Sequence, residues 1–286
     1  MFSNAIVATD LGPASEGIVA CAGALKALGV REAILVYAID LETEPSADQD
    51  VAFQQQLDSL EAVGVRVHVE TPLGYAPHAI TQLALEHNAG IIVMGTRGQG
   101  LFHTGFSGSV SSDVVRLSTV PVLLVPAATG ASAESGGAVC ARLLSSILVP
   151  VDLASGAERV CELACGLVRT GAPRVEILHA IEMSFEAVRD NREARARAML
   201  DDFAATARAS GAAEVITTIV RGRPDEEVAR LAATGRYSLV VLAPGCHDTI
   251  DQAFGSVTSS VIRGSLTPVL LAPPTCDTTF YARGKT

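Results

Sequence analysis

The chain has 286 residues, of which 49% are hydrophobic and 18% are charged, so it can fill the cores of two ordinary domains and is not a disordered chain. Its net charge of −10, its 4% aromatic content and its lack of tryptophan argue against a nucleic-acid-binding surface. No apolar run approaches the ~20 residues of a membrane helix, and no basic segment followed by an apolar one opens the sequence. We therefore expect a cytoplasmic protein without membrane contacts.

Short apolar runs alternate with segments of helical periodicity through the first half of the chain. The runs predict buried strands at residues 5–10, 33–40, 91–94 and 122–125, and an alternating edge strand at residues 65–70. The intervening segments predict helices at residues 13–28, 51–63, 77–86 and 109–118. This alternation indicates an α/β fold with a five-stranded, parallel, doubly wound sheet of order 3-2-1-4-5. Its ligand crevice would lie where the carboxyl ends of strands 1 and 4 meet.

The second half of the chain repeats the first. A strand ends in an aspartate in both halves, at Asp10 and Asp152, and the pair Gly108-Ser109 recurs as Gly255-Ser256. The two spacings, 142 and 147 residues, have the length of a domain, so we infer a duplicated domain rather than a solenoid. We expect one domain at residues 1–127, a linker at 128–143, a second domain at 144–274 and a loose tail at 275–286.

A glycine-punctuated loop follows the predicted fourth strand, with the spacing Gly95-x2-Gly98-x9-Gly108-Ser109. Glycine lets the backbone approach a ligand closely, and the helix that opens at Ser109 would offer free N–H groups to an anion. These features predict a phosphate site in the crevice. The alternative is a crossover loop that needs its glycines only for turns.

Side chains near this loop allow two interpretations each. Asp10 could accept hydrogen bonds from ribose hydroxyls, or it could cap the helix that follows it. Ser109 and Ser111 could donate to a phosphate or cap their own helix. Arg97 and His103 could reach phosphates, but we favour solvated loop side chains for both.

Sequence motifs for catalysis are missing. The chain has no G-x-x-x-x-G-K-[ST] sequence and no G-x-G-x-x-G after its first strand, which excludes a P-loop and a dinucleotide fingerprint. No Ser-His-Asp or Cys-His ordering stands out, so we assign no catalytic residue. The site is therefore predicted to hold a nucleotide rather than to cleave it rapidly.

The six cysteines lack the spacing of a zinc or redox motif. Cys161 and Cys165 stand four residues apart, and no further ligands follow them. We therefore expect reduced thiols that serve mostly as core side chains.

With these glycines, serines and aspartates, the chain resembles the universal stress protein family, and it looks like a tandem member with two such domains. The resemblance covers nearly the whole chain and is specific in the first repeat and partial in the second. It implies flavodoxin-like (Rossmann-like) domains that pair through their last strands, and ATP as the ligand, with magnesium as a candidate companion ion. Carried over by position, the binding residues would be Ala8, Thr9, Asp10, Ala38, Met94, Gly95, Gly98, Gly108, Ser109, Val110 and Ser111.

The second repeat departs from this pattern. Its first loop glycine is replaced by Leu242 when the repeats are aligned without a gap, or by Ala243 with one deletion, and Pro244 removes a backbone donor in either case. Only a weak second site is therefore expected, at residues Asp152, Gly245, Gly255 and Ser256.

Three classes of function remain. The favoured one is an ATP-binding stress-response protein, a nucleotide-responsive regulator with at most slow ATPase activity. The alternatives are a ligand-free dimerisation or interaction scaffold of the same fold, and an adenine-nucleotide α-hydrolase-like enzyme, although the S-G-G-x-D-S type of loop is missing after the first strand. We expect a homodimer of tandem chains with unknown protein partners, and neither nucleic acid nor membrane among its partners.

Overall fold

Strands and helices alternate along both halves of the chain in the computed structural model, which describes residues 1–11, 21–39, 47–96, 110–126, 142–152, 156–182, 191–244 and 255–274. The first half contains β1 Asn4–Ala8, α1 Ala22–Ala27, β2 Glu32–Val36, α2 Ala47–Ala62, β3 Arg66–Glu70, α3 Ala76–Glu86, β4 Ile91–Thr96, α4 Val110–Leu117 and β5 Val122–Pro126. The second half contains β6 Ile147–Pro150, α5 Ala157–Thr170, β7 Arg174–Ile181, α6 Arg192–Ala209, β8 Glu214–Arg221, α7 Pro224–Ala232, β9 Leu239–Leu242, α8 Ser256–Gly264 and β10 Val269–Leu271.

The ten described strands form one sheet, in the order β3-β2-β1-β4-β5-β10-β9-β6-β7-β8. Within each half, neighbouring strands are parallel and follow the order 3-2-1-4-5. The last strands of the two halves, β5 and β10, pair antiparallel, with Leu123 opposite Leu270. The predicted fold class, strand order and pairing of the last strands are therefore confirmed.

Successive strand residues point to opposite sides of the sheet. Because apolar strand residues lie on both sides, helices cover both faces of the sheet. Ala5 and Val7 of β1 belong to the core beneath α1, α2, α5 and α6, whereas Ile6 and Ala8 belong to the core beneath α3, α4, α7 and α8. Each core contains residues of both halves, so the two repeats are packed as one continuous layered structure. None of the described helices has the length and hydropathy needed to cross a membrane.

The limits of two elements, β2 and α2, differ from the sequence predictions. β3 is the outer strand of its half, as predicted, and three of its five residues are exposed. β2 ends at Val36 rather than near residue 40, and α2 begins at Ala47 rather than at residue 51. Sequence patterns predict these boundaries poorly, because tertiary contacts decide where a strand or a helix ends.

The cysteines follow the sequence expectation only in part. Cys161 and Cys165 are free and buried in α5, and burial raises the pKa of the Cys161 thiol to about 12. Cys21 is disulfide-bonded, so the expectation of reduced thiols is wrong at this residue. Spacing along the chain does not reveal which cysteines folding brings into bonding distance.

Candidate functional site

The carboxyl ends of β2, β1 and β4 lie side by side at one edge of the first half of the sheet. Ala8, the last residue of β1, is opposite Val36 in β2 and opposite Met94 in β4. The chain moves from β1 to β2 on one side and returns to β4 on the other, so this edge is a topological switch point. The structure thus brings the predicted residues Asp10 and Gly95 to the edge where the sequence placed the ligand crevice.

A tight turn follows β1. The Thr9 N–H donates to the Val36 carbonyl at 2.9 Å, and the Thr9 Oγ1 accepts from the Leu11 N–H at 3.0 Å. Leu11 has a left-handed backbone with φ of 56°, a conformation unfavourable by roughly 1 kcal/mol for leucine. The turn leaves Asp10 exposed at the strand end. The alternative role of Asp10, capping a helix predicted from residue 13, falls on residues outside the described chain.

Ala38 presents at the same edge a backbone N–H and C=O that no described residue engages. The neighbouring Tyr37 and Ile39 N–H groups donate toward the β3 side, to the carbonyls of Glu70 at 3.1 Å and Pro72 at 2.9 Å. Because alternate residues of an extended strand face opposite neighbours, the Ala38 N–H and C=O face the β1 side, beyond the last residue of β1. No described residue hydrogen-bonds to either group. As far as the described residues go, one donor and one acceptor therefore stand side by side without a partner.

The helix α4 begins at Val110 and returns from the carboxyl end of β4, so its amino terminus lies at this edge. The first N–H groups of a helix have no intrahelical partner and carry a partial positive charge. Val110 is exposed and Ser111 is half-buried there, which is compatible with the predicted phosphate cradle. The other predicted cradle and loop residues lie outside the described chain: Gly98, Gly108 and Ser109.

Three side chains link α4 to the start of α3, and we call them the Tyr75 cluster: Tyr75, Asp113 and Arg116. The Tyr75 hydroxyl donates to Asp113 Oδ2, and the Arg116 guanidinium pairs with Asp113 Oδ1. The hydrogen bond to Asp113 is the main reason why the pKa of Tyr75 is raised to about 12. Sequence analysis missed this cluster, because its one visible signal is the i,i+3 spacing of Asp113 and Arg116.

The corresponding edge of the second repeat is less regular. Pro150 occupies the place of Ala8, and proline has no N–H to donate to a neighbouring strand. β6 accordingly pairs with β9 at two residue pairs, whereas β1 pairs with β4 at four. The strand ends that would flank a ligand are therefore held together less firmly than in the first repeat.

Sheet register decides which residue replaces the first loop glycine of the second repeat. Ile6 and Leu148 each precede the strand-end aspartate by four residues, and they lie opposite Ile92 and Val240. Counting three residues onward from each partner, Ala243 stands where the first repeat has glycine. The alignment with one deletion is therefore right, and the alignment without a gap is wrong.

The remaining residues of the expected weak second site keep part of the arrangement. Asp152 is exposed after β6, and Gly255 is the N-cap of α8, which begins at Ser256. The Gly255 backbone is extended, with φ of −60° and ψ of 164°. Pro244 is buried two residues after the end of β9, and Gly245 lies outside the described residues.

Comparison with known proteins identifies the family. A model of the universal stress protein family matches residues 1–126 and 144–273. The universal stress protein Sll1654 of Synechocystis sp. is 39% identical over 83 residues, which span 28% of this chain and 53% of that protein. The universal stress protein Rv2005c of Mycobacterium tuberculosis is 24% identical over 227 residues, 74% of this chain and 72% of that protein.

A solved structure has the same architecture over nearly its full length. The crystal structure of a universal stress protein from Archaeoglobus fulgidus superposes with a TM-score of 0.73 at 25% sequence identity, covering 95% of this chain and 97% of its own. The sheet order, the duplicated domain and the two family matches agree with one another. The chain therefore belongs to the universal stress protein family, as a member with two domains of that family in tandem.

Proposed function

We propose that the chain is an ATP-binding stress-response protein and that its first repeat holds the nucleotide. The observation that best supports this is the meeting at one edge of exposed Asp10, the open backbone pair of Ala38 and the start of α4. A donor and acceptor pair suits the edge of adenine, a carboxylate suits ribose hydroxyls, and a helix amino terminus suits phosphates. ATP carries its groups in that order.

Each predicted residue has a part in this proposal. Ala8, Thr9 and Asp10 would line the adenine and ribose, and the Ala38 backbone would bind adenine. The ribose and phosphates would pass over Met94 and Gly95 in the last part of β4 and over Gly98 after it. The cradle for the phosphates would consist of Gly108, Ser109, Val110 and Ser111.

We propose that hydrolysis is at most slow and that the nucleotide acts as a regulatory ligand. Asp113 is the carboxylate in the first turn of α4, and Tyr75 and Arg116 engage both of its oxygens. It is therefore poorly placed to activate a water molecule as a general base. Magnesium, where present, would be held mainly by the phosphates.

We propose that the second repeat serves assembly rather than tight nucleotide binding. Ala243 adds a side chain where the first repeat has glycine, Pro244 lacks a donor, and Pro150 shortens the strand pairing beside the site. We further propose the domain limits stated from the sequence, a homodimer of tandem chains and a cytoplasmic location.

Mass spectrometry of ligand released from gently purified protein tests this function. We expect an adenine nucleotide at about one molecule per chain, and slow or undetectable release of inorganic phosphate from added ATP. Protein that retains no nucleotide and does not bind ATP in calorimetry would contradict the proposal and favour the scaffold. Rapid turnover of ATP would contradict the regulatory role and favour an enzyme.

A further inference from the structure

We propose that Tyr75 is a positioning residue of the nucleotide site. Its side chain holds the Asp113 carboxylate against α3 and so keeps the negative charge of Asp113 out of the phosphate cradle. This inference rests on the proposed binding of ATP by the first repeat. Tyr75 lies far from the glycine motif in the sequence. Its proposed role is to let the site bind ligands with phosphate groups more tightly than ligands without them.

Asp113 creates an electrostatic conflict at the site. It is the fourth residue of α4, so its carboxylate lies within the first turn of the helix. An acidic side chain at this position stabilises the helix itself. The same charge repels a phosphate that binds at the same helix end, since like charges several ångströms apart disfavour binding.

The Tyr75 cluster resolves this conflict by engaging the carboxylate on both sides. Tyr75 donates to one oxygen and Arg116 pairs with the other. The Asp113 side chain is 15% exposed and that of Arg116 27%, so the pair is largely shielded from solvent. With a pKa near 12, Tyr75 stays protonated and keeps donating at physiological pH.

The backbone before α3 fixes Tyr75 in this role. Tyr75 is the N-cap residue of α3, with extended φ and ψ of −68° and 106°, and its own side chain makes no capping bond. Gly74 before it has φ of 111°, a conformation that favours glycine. The Tyr75 side chain is directed to α4, where it meets Asp113.

The second repeat provides an internal comparison, because a similar glycine turn precedes α7 without the cluster. Gly222 has a positive φ of 154° and precedes the N-cap residue of α7, as Gly74 precedes that of α3. The N-cap residue is Arg223 instead of tyrosine, and it pairs with Asp225 at 2.9 Å and Glu226 at 3.2 Å on its own helix.

The aspartate is also absent from the second repeat. Counting from the shared Gly-Ser pair, Ser260 takes the place of Asp113, while Arg263 is retained in the place of Arg116. Arg263 there donates to the Ser259 carbonyl at 3.2 Å. Tyrosine and aspartate thus occur together in the repeat that keeps its loop glycines. If Tyr75 and Asp113 served only general packing, the same pair would be expected in both repeats.

Calorimetric titration with ATP, AMP and adenosine tests the inference on the full chain. Tyr75→Phe should weaken ATP binding by about fivefold, AMP binding less, and adenosine binding not at all, because the liberated charge acts only on phosphates. Asp113→Asn removes that charge, so Tyr75→Phe should have no effect on ATP affinity in this background. Arg223→Ala, at the matching position of the second repeat, is the control and should leave ATP affinity unchanged.

Three outcomes would overturn the inference. They are an unchanged ATP affinity in Tyr75→Phe, an equal loss for adenosine, and an undiminished loss when Asp113→Asn is also present. Unaltered adenosine binding also reports that each variant is folded. If the unsubstituted protein binds none of the three ligands, the proposed function itself fails, and this inference with it.

Discussion

Leu270 lies at the seam between the two repeats, and its truncation should destabilise both. It is the central residue of β10, opposite Leu123 of β5, and its side chain is 0% exposed in the core beneath α1, α2, α5 and α6. Leu270→Ala removes buried methyl groups and leaves a cavity, which lowers the free energy of unfolding by about 3 kcal/mol, in a usual span of roughly 2–5 kcal/mol. For a chain of this size, that loss corresponds to about 6 °C in Tm.

Hydrogen exchange resolved along the chain measures how far this loss extends. Because the sheet and both cores are continuous, the amides of β1 and β6 should lose protection together, in one cooperative transition. Leu266→Ala is the control, since Leu266 is 62% exposed and its loss should change stability by less than about 0.5 kcal/mol. Lost protection confined to the second repeat, with β1 unaffected, would refute the continuous structure.

Two further predictions concern the glycine loop and the tyrosines. Gly108→Val should abolish ATP binding while thermal unfolding stays unchanged, because a β-branched side chain would fill the space where phosphate meets backbone; wild-type affinity in calorimetry would refute the assignment. The hydrogen bond to Asp113 raises the pKa of Tyr75 from its ordinary value of 10.0 to about 12. Burial, followed by the hydrogen bond to Glu176, raises the pKa of Tyr237 to about 12 as well. The stability that these two groups contribute is complete below pH 10 and is lost as the pH rises toward 12. Ultraviolet titration should therefore show that both tyrosines ionise well above pH 10. Ionisation of both near pH 10 would contradict the contacts.

The sequence predicted the topology because the relevant signals are local and periodic. The alternation of residues 65–70 marks an edge strand, which is enough to place β3 outermost and to derive the rest of the order. The pairing of β5 with β10 was instead implied by the resemblance to the universal stress protein family. These are statements about backbone pattern, which sequence carries well.

The side-chain arrangement of the candidate site could not be predicted in the same way. Tyr75 and Asp113 are 38 residues apart and meet only because α3 and α4 pack together. The backbone groups of Ala38 have no strand partner on the β1 side, because the last residue of β1, Ala8, lies opposite Val36, two residues before Ala38. Sequence alone also left two alignments open at Ala243, and only the strand pairing distinguishes them.

Calorimetric titration of ATP into the protein and into two matched variants, Asp10→Ala and Asp152→Ala, tests the central claim most directly. We predict one site per chain in the unsubstituted protein, located in the first repeat. Asp10→Ala should weaken it at least tenfold, because a hydrogen bond to a charged group contributes about 1.5–3 kcal/mol, whereas Asp152→Ala should leave it unchanged. Two equivalent sites per chain, or a loss caused by Asp152→Ala instead of Asp10→Ala, would contradict the account.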